Sequence, residues 1–391
     1  MKHWPKKQLG ELLKVQNGFA FKSELFNDQC KGLPLIRIRD LARGFSKTFY
    51  NGEHDSEFEV KNGDFLIGMD GEFRCYRWKG GKALLNQRVC RLHNFNPELS
   101  ASYVFYGINA HLRIIEDTTA FVTVKHLSSK QIASIEMPVP PLAEQERIVK
   151  LLCEADDLRK LRNQSDSRSE ALIPALFFEM FGDPLKNTSR SPILPLAEVV
   201  DFGSGATPSK DNPTFWNGRT PWVSPKDMKP EEITDAEDHV SAAAFEESNL
   251  NLFPKDTVLI VVRGMILAHT VPIRLCRVPA AINQDMKALL PKIPIEPEFL
   301  RWSLQTQHAK LLNHVSTAGH GTKKLDSDRL REVTIPIPPL ALQREFVQRV
   351  AVIRELAAIQ AISRSRLEAL FQSLLHCAFN DVMILSNNNK V

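Results

Sequence analysis

The chain has 391 residues, 43% of them hydrophobic and 25% charged, with a formal net charge of +4. That length exceeds what one hydrophobic core organises and fits two domains of ordinary size plus connectors. The charge is too nearly balanced to name a nucleic-acid partner by itself, and no run of 18 or more apolar residues occurs, which excludes a membrane-spanning helix.

The opening MKHWPKKQLGELLKVQ carries basic residues but no apolar stretch behind them, so no signal peptide is expected and the cytoplasm is the expected compartment. From about Trp4 to Pro140, short apolar runs (LPLIRI, GDFLIG, NQRVCRL) alternate with Gly and Asn turns, which predicts strands joined by loops with occasional helices, a mixed α/β module. Between Gly71 and Leu92 lie six cations, Arg74, Arg77, Lys79, Lys82, Arg88 and Arg91, against the single acid Glu72. After Pro140-Pro141 the texture changes: Ile148, Leu151, Leu152, Ala155, Leu158 and Leu161 recur at three- and four-residue steps, the pattern of an amphipathic helix. Pro141 suits its first turn, Glu144 and Glu146 suit its positive end, and Pro174 should interrupt it before FFEMFGDP. Gly182 and Pro184 supply a stop, and Leu185 to Pro195 form a linker.

The second half repeats the plan. PWVSPKDM, DTVLIVVRG and AINQDMKALLP read as strands and turns, and Pro338-Pro339 opens a helix carrying Phe346, Val350, Ile353, Leu356, Ile359, Leu367, Leu370 and Leu374. The repetition is literal in places. MPVPPLAEQERIV, from Met137 to Val149, returns 198 residues later as IPIPPLALQREFV, and Phe181 falls on Phe379 at the same displacement. Leu9, Glu11, Gly18, Pro34 and Asp40 meet Leu196, Glu198, Gly205, Pro221 and Asp227 at a displacement of 187, and Asn86-Gln87 meets Asn283-Gln284 at 197. The second copy therefore gains ten residues between Asp40 and Asn86, and insertions within repeats map to loops on one face, often the binding face.

These divisions predict modules at residues 1–140 and 185–337, spacer helices at 141–184 and 338–380, and a disordered tail at 381–391. Each helix has an apolar stripe too long for one small module to cover. Two such helices pack most simply on each other as an antiparallel coiled coil within an internal pseudo-two-fold repeat. The alternative is that each packs on its own module.

The duplicated PxPPLxxQ segment before a long helix, the central ALIPALFFEMFGDP, and the TPWVSPKDM and AINQDMKAL strings resemble the specificity subunit of type I restriction-modification enzymes, over essentially the whole chain. The resemblance implies two tandem α/β target recognition domains alternating with two conserved helical regions. It implies a subunit without catalysis of its own, which selects the double-stranded DNA sequence where partners methylate adenine or, in the full complex, cleave with ATP. Two copies of the modification subunit, and restriction subunits, are the implied partners. AdoMet, ATP and magnesium would serve them, with no cofactor or metal in this chain.

The residues agree with that expectation. GSGATPSK, from Gly203 to Lys210, lacks the second glycine of a phosphate loop and matches the NGFAFKS turn of the first copy; NPTF, from Asn212 to Phe215, lacks the second proline of an adenine-methyltransferase motif. Asp70 and Glu72 would be candidate nuclease carboxylates, but the second copy offers Arg263 and Gly264 near that point. Cys30, Cys75, Cys90, Cys153, Cys276 and Cys377 form no CxxC pair and no metal-ligand spacing with histidine, so they read as free, mostly packed thiols.

DNA recognition needs cations for phosphate attraction and bidentate side chains for the base edges. The candidates are Arg74, Arg77, Lys79, Lys82 and Arg88 in the first module, with Trp78 as packing or sugar contact. In the second they are Lys210, Lys226, Lys229, Arg263, His269, Arg274, Lys323 and Lys324. Asn86-Gln87 and Asn283-Gln284, present in both copies, read as structural turns or strand caps. Candidate partner contacts are Leu142, Ile148, Leu340, Phe346, Phe177 and Phe181, although the aromatics could instead close the chain's own core. A forty-residue helix from Leu142 to Phe181 would extend roughly 60 Å. Half-sites one duplex turn apart, roughly 34–36 Å, could then be held as an asymmetric bipartite target with a fixed gap. The rival readings are a stand-alone tandem DNA-binding regulator, which would bind tightly without a methyltransferase, and a nuclease or methyltransferase active as the pure chain.

Overall fold

The computed structural model describes residues 4–118, 125–184, 186, 188, 191–317 and 321–379; the expected tail at 381–391 lies outside them. Two compact units result, Met1–Asn163 with Ile362–Val391, and Gln164–Ala361.

The first unit is built on a four-stranded antiparallel sheet in the order Lys14–Asn17, Val89–His93, Phe65–Gly68, Cys75–Arg77. Its central strand, FLIG, is buried along its length, and the helix Ala101–Thr118 covers one face with Tyr103, Val104, Ile108 and Leu112. The same core takes Leu152 and Ala155 from the first strut helix and Phe371 and Phe379 from the second. Gly107 permits this approach, because a Cβ there would stand 2.4 Å from the Met137 methyl and 2.6 Å from the Phe379 ring. A second, mixed sheet surrounds Leu35, Tyr50 and Leu84.

The second unit repeats the four antiparallel strands as Val200–Ser204, Met286–Pro291, Thr257–Val261 and Ile273–Cys276, and adds Glu232–Ile233 parallel to the last. The helix Pro297–Gln305 backs this sheet with Phe299, Leu300, Trp302 and Leu304 buried.

Shared residues have shared jobs. A Cβ on Gly18 would lie 2.1 Å from the carbonyl oxygen of Asn86, and one on Gly205 would lie 2.1 Å from that of Asn283, so glycine is required at both close approaches. Asn283 Oδ1 accepts the Asp285 amide at 3.0 Å, the structural-turn role expected for it. Asp40 and Asp227 each close a turn by accepting the amide three residues back, from Arg37 at 3.0 Å and Ser224 at 2.8 Å.

The first strut helix runs Leu142–Glu170, breaks at Ala171 and resumes as Leu172–Phe181. Pro174 explains the break, since its ring collides with the carbonyl four residues earlier and has no N–H to return. The second, Leu340–Phe379, contains no proline and is unbroken. Within the second unit the helices run antiparallel: Ser169 Oγ donates to Gln360 Oε1 at 2.9 Å, while further along Phe177 and Phe181 meet Phe346 at 5.6 and 5.5 Å. Within the first unit, the Arg159 guanidinium pairs with Glu368 at 2.6 Å and lies 4.2 Å over the Phe371 ring.

Three expected partner contacts are corrected here. Phe177, Phe181 and Phe346 are buried with Phe299 in one aromatic cluster, ring centroids 4.8–6.3 Å apart, and have no surface to offer another chain. Ile148 packs partly buried against the first core and Leu340 is half-buried, whereas Leu142 is exposed. No helix among the described residues is long and apolar enough to cross a membrane.

Candidate nucleic-acid interface

In the first module the predicted cations sit on the Cys75–Arg77 strand and the turns beside it. Arg74 is exposed near Glu72 at 3.8 Å, and Arg77 leans on Phe65 and Phe105 while donating to Ser102 Oγ at 3.1 Å. Lys79 is exposed with no salt bridge among the described residues. Lys82 pairs with Glu59 at 2.8 Å, and its hydrogen bond, with that of His54, holds the Glu59 carboxyl below its usual range. Trp78 is a packing residue only: it is buried in a small core, and its indole donates to the Gly81 carbonyl at 2.7 Å, which withdraws the expected sugar contact. Arg91 is likewise internal, fastened to Gln16 and to the carbonyls of Glu57 and Glu59.

In the second module Lys210, Lys229, Arg263, His269 and Lys324 are exposed and form no salt bridge among the described residues. Lys226 is held by Asp238 at 3.0 Å and Glu237 at 3.1 Å, which raises its pKa and compensates its charge locally. Lys323 donates to Thr317 Oγ1 across the hairpin of strands Val315–Thr317 and Lys323–Leu325. Arg274 is set apart. It is half-buried in a cleft of about 410 Å³ with Pro174, Phe178, Glu231 and Trp302, donates to the Ile273 carbonyl, and is pushed down in pKa by burial. That environment ties it to the module's own helices and removes it from the exposed cationic set.

One constellation brings predicted residues together in both modules. At the end of the Phe65–Gly68 strand, the Met69 amide donates to the Arg88 carbonyl at 2.9 Å, the Leu127 amide to the Met69 carbonyl at 2.7 Å, and the Gly71 amide to the Lys125 carbonyl at 3.3 Å. At the end of Thr257–Val261 the same three bonds recur: Val262 to Asp285 at 2.8 Å, Leu325 to Val262 at 2.9 Å, and Gly264 to Lys323 at 3.0 Å. Isolated bridges pair Asp70 with His126 and Arg263 with Lys324. The crossing therefore superposes Asp70 on Arg263, Arg88 on Asp285, and His126 on Lys324. In the first module the three side chains are joined, with His126 Nδ1 2.7 Å from Asp70 Oδ1 and Arg88 Nη1 3.3 Å from the same carboxylate.

The sequence offers Asp70 only as a nuclease carboxylate and does not single out His126 or Asp285. The displacement of 198 that carries His126 onto Lys324, and that of 197 that carries Arg88 onto Asp285, are the signals that find them. Glu72, the second imagined carboxylate, is turned to Arg74 and does not join Asp70; among the described residues no group of three or more His, Cys, Asp or Glu is placed to hold a metal ion.

The specificity subunit of the EcoBI type I restriction enzyme of Escherichia coli is 38% identical over 160 residues, covering 40% of this chain and 34% of that one. That of EcoR124I/EcoR124II, also from Escherichia coli, is 34% identical over 154 residues, covering 39% and 38%. The chain thus spans little more than a third of either relative's length. The MjaVIII specificity subunit of Methanocaldococcus jannaschii is 21% identical over 412 aligned positions, covering 99% of this chain and 94% of that one. Two solved structures share the fold. A chain from a study of complex assembly and conformational transition of the type I restriction-modification system has a TM-score of 0.62 at 19% identity, covering 97% and 98%. The S subunit from M. genitalium has a TM-score of 0.53 at 17% identity, covering 97% of each. Residues 1–167 and 193–368 both match the type I restriction modification DNA specificity domain, and the chain belongs to that family.

Proposed function

We propose that this chain is the DNA-reading subunit of a type I restriction-modification complex. Each module reads one half of an asymmetric, bipartite double-stranded site, and the strut helices set the gap between the halves. The observation that carries this reading is the repeated backbone crossing with exposed cations around it: Arg88 in one module, Arg263 and Lys324 in the other. One scaffold bearing different side chains is what two unequal targets require.

Adenine methylation, and cleavage in the full complex, belong in this reading to partners that use AdoMet, ATP and magnesium; this chain contributes selection alone. Two copies of the modification subunit would dock on the struts, whose apolar residues are only partly covered. Leu142, Leu151, Leu158 and Leu161 are exposed in the first unit, and Leu172, Val352, Leu356 and Ile359 in the second. Stripes of this kind on a helix normally find a partner.

The test is to insert four residues after Lys160 and sequence the methylated sites of a host that makes the variant with its modification subunit. The gap should change while the bases of each half-site stay as they were. A change in the recognised bases themselves would overturn the spacer role.

A further inference from the structure

The two crossings share their main chain and reverse their charge. Position for position, the first carries Asp70 on the strand end and Arg88 on the turn; the second carries Arg263 on the strand end and Asp285 on the turn. The reversal leaves the scaffold intact because main-chain bonds hold it in both copies.

Exposure separates the roles within the first crossing. The Arg88 side chain is 57% exposed and that of Asp70 only 22%, so the carboxylate is the inner partner and the guanidinium the outer one. Asp70 engages Nη1 of Arg88, and nothing among the described residues engages Nε or Nη2. Those donors form the planar fork that matches the two acceptors on the major-groove edge of guanine. Arg88 also adopts a left-handed backbone conformation, φ 72°, which a non-glycine side chain adopts only under local constraint. His126, 50% exposed, holds Oδ1 of the same carboxylate at 2.7 Å, its Nδ1 3.5 Å from Arg88 Nη1. In the second module Arg263 is exposed at the strand end beside exposed Met265 and Ile266, and Lys324 occupies the place of His126.

We propose that Arg88 and Arg263 are the guanine-reading residues of their modules, presented from opposite arms of one crossing, and that Asp70 and His126 are positioning residues for Arg88. Because the arms differ, the guanine that each arginine selects occupies a different place in its half-site. This rests on the DNA-reading role proposed above.

The experiment is selection from a randomised duplex library by the full chain co-expressed with its modification subunit, with thermal melting of each variant as a fold control. Arg88→Ala should abolish the preference for guanine at one position of one half-site, with about a 5- to 150-fold loss of discrimination there, and leave the other half-site unchanged. Arg263→Ala should do the same in the other half-site only. Asp70→Asn should lower discrimination at the Arg88 position with an unchanged melting temperature. Lys79→Ala should weaken binding to all sequences alike. If Arg88→Ala and Arg263→Ala reduce affinity but leave every base preference in place, they are phosphate contacts and the inference is overturned. If the unaltered complex selects no sequence at all, the DNA-reading role falls, and this inference with it.

Discussion

Gln145 and Gln343, 198 residues apart, are buried at the same point of the two strut helices, where each accepts a main-chain amide of its module and donates to the carbonyl five residues before it. The carboxamide oxygen of Gln145 accepts the Ser100 amide at 2.8 Å, while its nitrogen donates to the Pro140 and Glu98 carbonyls, both at 2.8 Å. Gln343 accepts the Glu296 amide at 2.9 Å and donates to the Pro338 carbonyl at 2.8 Å. This is why the repeated PxPPLxxQ string ends in glutamine: the side chain ties the start of the helix to the module before it.

Replacing Gln145 with Leu leaves a buried amide and two carbonyls without partners, each a cost of roughly 1–3 kcal/mol. The expected result is a loss of about 2 kcal/mol or more in the denaturation transition of the first unit, with the second unit unchanged. Gln343→Leu should do the converse. Urea unfolding followed by hydrogen exchange of each unit reads the difference.

Glu298 anchors the second strut differently. It is almost fully buried, accepts from Arg354 Nη2 at 2.7 Å and Trp302 Nε1 at 2.8 Å, and stands 3.3 Å from the buried Arg301. Glu298→Ala removes the buried carboxylate of this pair and leaves buried Arg301 with Glu231 at 3.6 Å; loss of one partner of a buried pair typically costs about 3–5 kcal/mol. Calorimetry should show the second unit melting far earlier, and Glu298→Gln, which keeps one acceptor, should fall between.

His308 gives a pH response with a definite sign. Its Nε2 accepts the Val271 amide at 3.0 Å, and burial, followed by the Arg274 charge, holds its pKa below the usual 6.5. The folded state thus resists a proton that the unfolded chain takes, so this contribution is complete above 6.5 and is lost as pH falls below it. Denaturation midpoints of the second unit should drop between about pH 7.5 and about pH 5.5, and His308→Gln should shallow that slope.

The thiols divide by exposure. Cys75, Cys90 and Cys276 are buried, and desolvation pushes Cys90 up to about 12 with Cys75 and Cys276 also raised; Cys30, Cys153 and Cys377 are exposed. An alkylating reagent at about pH 8 should label three thiols in the native chain and all six in denaturant, because the thiolate is the reactive form. Mass spectrometry of the labelled peptides checks which three.

The large divisions were legible because they depend on short-range signals. Pro141 and Pro339 mark helix starts, Pro174 marks the break at Ala171, and the 187- and 198-residue displacements reveal the duplication. What was not legible depends on which neighbour arrives. Periodicity shows that Phe177, Phe181 and Phe346 lie on apolar stripes; it is silent on whether a partner or Phe299 covers them. Trp78 and Arg91 lie in a cationic run whose other members are exposed, and only the folded chain brings Gly81 and Gln16 to them. The crossing at Asp70 was hidden for another reason. Its arms come from segments 18 and 56 residues apart, and each carries its own displacement between the copies.

Because amide-to-carbonyl bonds through Met69, Arg88 and Leu127 hold that crossing, few demands fall on the side chains mounted there. Substitution at positions 70, 88 and 126 can proceed with little penalty to the core, so the chemistry displayed at this joint could change by point mutation while the protein goes on folding. The two halves of this chain already record one such divergence: the same joint, inherited twice, with its acid and its arginine exchanged.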